Sequence, residues 1–199
     1  MKGVLTKILV FSLYIIPIVG FVIPESQELK YIFATMLSIP GLIYIYKENT
    51  FKSISYIGNW KSSIKFEIFF VISCSILMIL LRRLDILPAA QSTELMLDIS
   101  EFQIYILYAL VMAPVQELIF RGLMFFHVDK FFKKSSFSIF LTSFVFGLSH
   151  IWYPSLTIVF CTFLLGLVWG FSRYKYNSLV GPVIGHSFIG VLAFILEII

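Results

Sequence analysis

The sequence predicts an all-α fold, a polytopic bundle of transmembrane helices, and three observations carry that prediction. Of 199 residues, 59% are hydrophobic and only 13% charged, with a mean hydropathy of +0.96. That is more apolar surface than a soluble domain can bury. The apolar residues fall in long runs, and the lysines and arginines between them gather on alternate loops.

Seven runs can be drawn: about Val4–Ile23, Tyr31–Tyr46, Phe66–Leu81, Phe102–Phe126, Phe137–Ile151, Leu156–Phe171 and Leu179–Ile199. Several fall short of the ~20 residues of an average span. The first follows Lys2 and Lys7 without an A-x-A-like cleavage signal, so it reads as a retained span. Pro40-Gly41 interrupts the second and Pro114 the fourth, breaks that neighbouring helices can tolerate.

Cationic residues set the orientation. One series of loops holds Lys2, Lys7, Lys47, Lys52, Lys61, Lys65, Lys130, Lys133, Lys134, Arg173 and Lys175. The opposite series holds only Lys30, Arg82 and Arg83, diluted by six acids. The bias predicts about seven spans with the N-terminus inside. It also accounts for the net charge of +4 without a nucleic-acid partner. The natural location is a cytoplasmic membrane. Between the second and third runs, Lys47 to Lys65 mixes lysines with Phe51, Tyr56, Ile57 and Trp60. That composition suits either an interfacial segment on anionic lipid or an ordinary solvated loop. Cys74 and Cys161 lie inside apolar runs and suggest packed or lipid-facing thiols. No repeat or domain boundary is evident, so residues 1–199 read as one integral-membrane domain. The sequence leaves its oligomeric state open.

Polar groups inside the runs are the functional signal. An ionisable side chain at membrane depth costs roughly 2.5–3.5 kcal/mol on insertion scales. Glu117 and Arg121 stand four apart, within pairing distance on one face of an α-helix, with Gln116 beside them. His150 closes the run Phe146-Gly147-Leu148-Ser149-His150. His186 opens His186-Ser187-Phe188-Ile189-Gly190, after Gly181-Pro182. A carboxylate and two imidazoles converging in a dry pocket have the chemistry of water activation. Arg121 would favour the ionised form of Glu117, which suits an orienting acid better than a base. Each pattern also has a structural reading. Glu117–Arg121 could be helix glue, His150 an interfacial residue beside Trp152 and Tyr153, and His186 an interhelical hydrogen-bond partner. His127 reads as interfacial and Gly166-x-x-x-Gly170 as close helix packing. Two His and one Glu could also hold a zinc ion with an open position, although no H-E-x-x-H helix supports it.

In the order, spacing and membrane context of these motifs, the chain resembles the CAAX-protease and bacteriocin-processing (Abi) family of intramembrane proteins. That family's pattern is E-E-x-x-x-R, then F-x-x-x-H, then H-x-x-x-N or H-x-x-x-D, on successive helices. The likeness runs from about Ala113 to Val191 in a core of about residues 100–199. It implies a helical bundle with a polar cavity and a peptide or lipidated-protein substrate. Eukaryotic members trim prenylated proteins, and bacterial members are linked to peptide processing or self-immunity. Carried over, Glu117 and Arg121 take organising roles, His150 the water and His186 the oxyanion.

Two departures stand out. The first glutamate of the pair is Gln116, which can hold a water but cannot deprotonate it. The last motif ends in Gly190, which offers no side-chain donor. The expectation is a degenerate site, with peptidase activity weakened or absent unless Glu117 has moved into the base role. The alternative is a non-catalytic immunity or binding protein that sequesters a peptide or partner helix.

Overall fold

The computed structural model describes residues 57–87, 100–151 and 155–198. These residues form helices and no strand. Helix α1 is Trp60–Arg83, α2 Glu101–Phe132, α3 Ser135–Leu148, α4 Leu156–Tyr176 and α5 Val180–Ile195. Each of the last five apolar runs therefore becomes a helix. The first two runs, with Pro40-Gly41, lie outside the described residues. By length and composition α1, α2 and α4 are able to cross a membrane, whereas α3 and α5 are shorter apolar helices.

The helix ends follow local chemistry. Asn59 caps α1, its side chain accepting from the Ser62 amide at 3.3 Å. Arg82 and Arg83 occupy its last turn, where cations meet the negative end of the helix dipole. Ser100 and Gln103 form a reciprocal capping box at the start of α2. Lys133 takes a left-handed conformation (φ 51°) that ends α2, and α3 begins two residues later. The Asp129 carboxylate ties this corner by accepting from Ser135 and Ser138 hydroxyls, each at 3.3 Å.

Two expectations change. Trp60 to Lys65 is the first turn and a half of α1 rather than part of a loop, so the solvated-loop reading of Lys47–Lys65 fails over those residues. Pro114 does not break its run. The helix passes through a π segment, Tyr108–Met112, immediately before it. The wider turn accommodates a proline that lacks an N–H and crowds the preceding carbonyls. A second π segment, Leu118–Met124, contains Arg121. The α-helical spacing expected between Glu117 and Arg121 is therefore not the spacing of this stretch.

The described helices fall into two compact sets. In the set built from residues 57–118 and 171–198, α1 packs on α5. Its buried residues are polar, Ser63 and Glu67, while Phe69 is 74% exposed and Ile72 and Ile76 also face outward. That inversion suits a helix with lipid outside and polar contacts inside. The approach depends on Gly181, where a Cβ would run into Ser63 and come within 2.9 Å of Glu67 Cγ. Ser63 and Ser172 hydroxyls lie 3.4 Å apart nearby. In the set of residues 119–170, α3 packs against α2 and α4. A Cβ on Gly147 would come within 2.8 Å of Phe163 Cβ, and one on Gly170 within 3.2 Å of Ile139.

Candidate functional site

Helix α2 delivers Tyr108, Gln116 and Glu117, and α5 delivers His186 and Gly190, within one set of helices. Glu117 is fully buried and His186 is 3% exposed. His186 Nδ1 lies 2.8 Å from Glu117 Oε1. An ionised carboxylate only accepts, so Nδ1 is the protonated nitrogen that donates and Nε2 keeps its lone pair. Tyr108 Oη is 3.0 Å from that Nε2. The Tyr108 hydroxyl therefore donates to it, completing a carboxylate–imidazole–phenol chain across two helices.

Local structure explains this convergence. Tyr108 is the first residue of the π segment and Glu117 the last of the α-helical turn that follows it. Pro182 sits in the first turn of α5, where a missing N–H costs little. Ser187 donates to the Ala109 carbonyl at 2.8 Å, fixing α5 against the π segment. Tyr108 itself is 7% exposed. Its ring is held edge-on by Phe194 at 5.1 Å between centroids and by His186 at 6.0 Å.

Of the residues expected from sequence, Glu117 and His186 are brought into direct contact. Gln116 follows one residue before the pair, and its buried Oε1 has no hydrogen-bond partner among the described residues. Tyr108 was missed, because a tyrosine in an apolar run reads as an interfacial side chain. The only sequence signal for it was the vacancy implied by Gly190.

The other set of helices holds Arg121 and His150, both on the ring of Phe146. Arg121 is fully buried. Its guanidinium carbon lies 4.2 Å from the Phe146 centroid and 5.6 Å from that of Trp169. A desolvated cation–π contact is worth about 2 kcal/mol. A Cβ on Gly166 would stand 3.0 Å from Arg121 Nη2 and 3.0 Å from Ser143 Cβ, so this glycine makes room for the guanidinium. The Gly166-x-x-x-Gly170 stretch is a packing face, as its spacing suggested.

His150 lies beyond the end of α3, half-buried, with its ring 4.8 Å from Phe146. Its Nδ1 is 2.8 Å from the Phe146 carbonyl, which also accepts from the Ser149 hydroxyl at 2.7 Å. The F-x-x-x-H spacing thus lets the imidazole satisfy a terminal carbonyl of its own helix. Trp152 and Tyr153, on which the interfacial reading of His150 relied, lie outside the described residues. His127 is buried among the helices, 3% exposed and stacked on Phe131. No group of three or more His, Cys, Asp or Glu suited to a metal ion occurs among the described residues.

Residues 99–192 match the family model described as type II CAAX prenyl endopeptidase Rce1-like. No curated protein and no solved structure gives a significant match. The matched segment spans all the motif residues, from Gln116 and Glu117 through His150 to His186 and Gly190. Over residues 99–192 the match supports the resemblance to the CAAX protease family that the motifs suggested.

Proposed function

We propose that the chain is a CAAX-type intramembrane endopeptidase homologue acting on a peptide or lipidated protein at the membrane, with Glu117–His186 as its acid–base unit. The buried 2.8 Å contact between His186 Nδ1 and Glu117 Oε1 is the observation that carries this reading. The carboxylate fixes the imidazole tautomer and faces the imidazolium that forms when Nε2 takes a proton derived from water. The resulting hydroxide adds to the peptide carbonyl carbon, and the imidazolium returns its proton to the leaving amine. Gln116 is no base; its buried Oε1, which has no hydrogen-bond partner among the described residues, suits a water or a substrate N–H. The resemblance alone assigns His150 a water-positioning role and Arg121 an organising one. The setting is a seven-span protein with its N-terminus inside, in a bacterial cytoplasmic membrane. Its natural role is peptide or bacteriocin processing or self-immunity.

Purified protein in liposomes, offered a panel of lipidated and bacteriocin-like peptides, tests the reading. Cleavage is expected, to be lost in Glu117→Ala and in His186→Ala and raised in Gln116→Glu. An absence of cleavage in both wild type and Gln116→Glu would sink the enzyme. The amide at Gln116 favours a second reading, a non-catalytic protein that sequesters its peptide. Protection in a peptide-challenge assay would then survive Glu117→Ala and His150→Ala.

A further inference from the structure

The phenol of Tyr108 fills a place that in the motif's usual form belongs to another residue. A Cβ built on Gly190 would coincide with Tyr108 Cε1, Cζ and Oη. Position 190 lies one turn after His186 on α5, where a side chain would stand over the imidazole. Here that side chain is absent and the ring comes from α2 instead. Its hydroxyl is 3.0 Å from His186 Nε2, opposite the nitrogen that faces Glu117. The ring has little freedom to leave. It is buried, packed edge-on against Phe194, and its backbone is pinned through the neighbouring Ala109 carbonyl.

We propose that Tyr108 is the third member of this site, replacing the missing side chain at position 190, holding His186 in its Nδ1–H tautomer and relaying protons to its Nε2. The assignment deepens the acid–base reading above and rests on it for its catalytic meaning. By donating to Nε2, the phenol removes the alternative in which that nitrogen carries the proton and Glu117 faces a bare lone pair. It also gives a proton path that leaves the ring in place. Water passes a proton to Oη as the phenolic proton moves to Nε2, and the hydroxide adds to the substrate carbonyl carbon.

Imidazole nitrogen NMR on protein labelled at its histidines decides the matter without any substrate. The chain has three histidines, and His186→Gln identifies the signal of interest. Wild type is expected to show His186 as the Nδ1–H tautomer with a hydrogen-bonded Nε2. Tyr108→Phe keeps the ring and is expected to melt within roughly 4 °C of wild type. Its Nε2 resonance should move toward that of a free lone pair. Gly190→Ala is expected to push the ring aside and reproduce that shift, or to lower the melting temperature by roughly 4 °C or more. An Nε2–H tautomer in wild type overturns the proposal. So does a His186 spectrum unchanged by Tyr108→Phe, or a Gly190→Ala protein unchanged in both spectrum and melting. The expected spectra in a protein that cleaves nothing would instead overturn the peptidase reading and leave the tyrosine's place intact.

Discussion

Deleting either partner of the Glu117–His186 pair should reveal how much of the fold depends on it. Both groups lie at most 3% exposed, so neither recovers full hydration when the other is lost. Hydrogen bonds to charged groups contribute about 1.5–3 kcal/mol. Removing one partner of a buried pair costs about 3–5 kcal/mol, because the other is left without compensation. For a chain of this length each kcal/mol lowers the melting temperature by roughly 2–4 °C. Glu117→Ala and His186→Ala should therefore each melt roughly 6–20 °C below wild type, followed by tryptophan fluorescence in detergent micelles. The double variant should cost less than the sum of the two, with a coupling of about 1–3 kcal/mol. Glu117→Gln keeps the shape and an acceptor but loses the charge, so it should fall between wild type and Glu117→Ala. Single effects that add to within about 0.5 kcal/mol would mean the two side chains do not interact, and the reasoning would be wrong.

Arg121 and Gly166 make a second, independent test in the other set of helices. Arg121→Lys keeps the charge but loses the planar face against Phe146 and Trp169, and should lower melting by roughly 2–8 °C. Unchanged melting and unchanged Trp169 emission would deny the cation–π contact its energetic role. Gly166→Val adds a branched side chain where a Cβ already meets Arg121 and Ser143 at 3.0 Å. Overpacking of about 1–3 kcal/mol is expected, read in the same melting assay, with Gly166→Ala milder. Equal stability of the two variants and wild type would show that α2, α3 and α4 do not pack this closely.

Hydropathy made the described helices legible because each is a continuous apolar run, but it misplaced their ends. Lys61 and Lys65 were assigned to a loop, yet both are exposed on the first turns of α1 beside buried Ser63 and Glu67. Lysines of this kind lay their stems along the helix, as Lys130 does with its Nζ 5.8 Å from the Phe126 ring centroid. Charge therefore marked the interface, not the end of the helix. Among the candidate residues, Glu117, His150, His186 and Arg121 were legible because ionisable groups are rare in apolar runs. Glu67 escaped notice at the edge of its run, one residue inside Phe66. Tyr108 escaped because its contact with His186 joins residues 78 apart in sequence. The π segments escaped as well, since no residue preference separates them from α-helix. They alter the angular relation between Glu117 and Arg121 that simple spacing suggested.

The two departures from the family motif bear on function in opposite ways. Gln116 removes a base, and among the described residues its side-chain oxygen has no hydrogen-bond partner. Gly190 removes a side chain, yet the space is refilled and a polar atom is returned to the same imidazole. Stability alone does not require that outcome. A buried ion pair can often be exchanged for well-packed apolar residues at no cost, and a polar network in a dry interior is an expensive way to fill volume. For packing against Gly190 and Phe194 a phenylalanine at position 108 would serve as well as a tyrosine. The hydroxyl is the one atom of that ring that packing does not call for, and it lies on the one nitrogen of His186 that Glu117 leaves open. That hydroxyl satisfies an acceptor whose exposure to a dry interior would cost about 1–3 kcal/mol, and the arrangement it completes is the one the acid–base reading of Glu117–His186 requires despite the amide at Gln116.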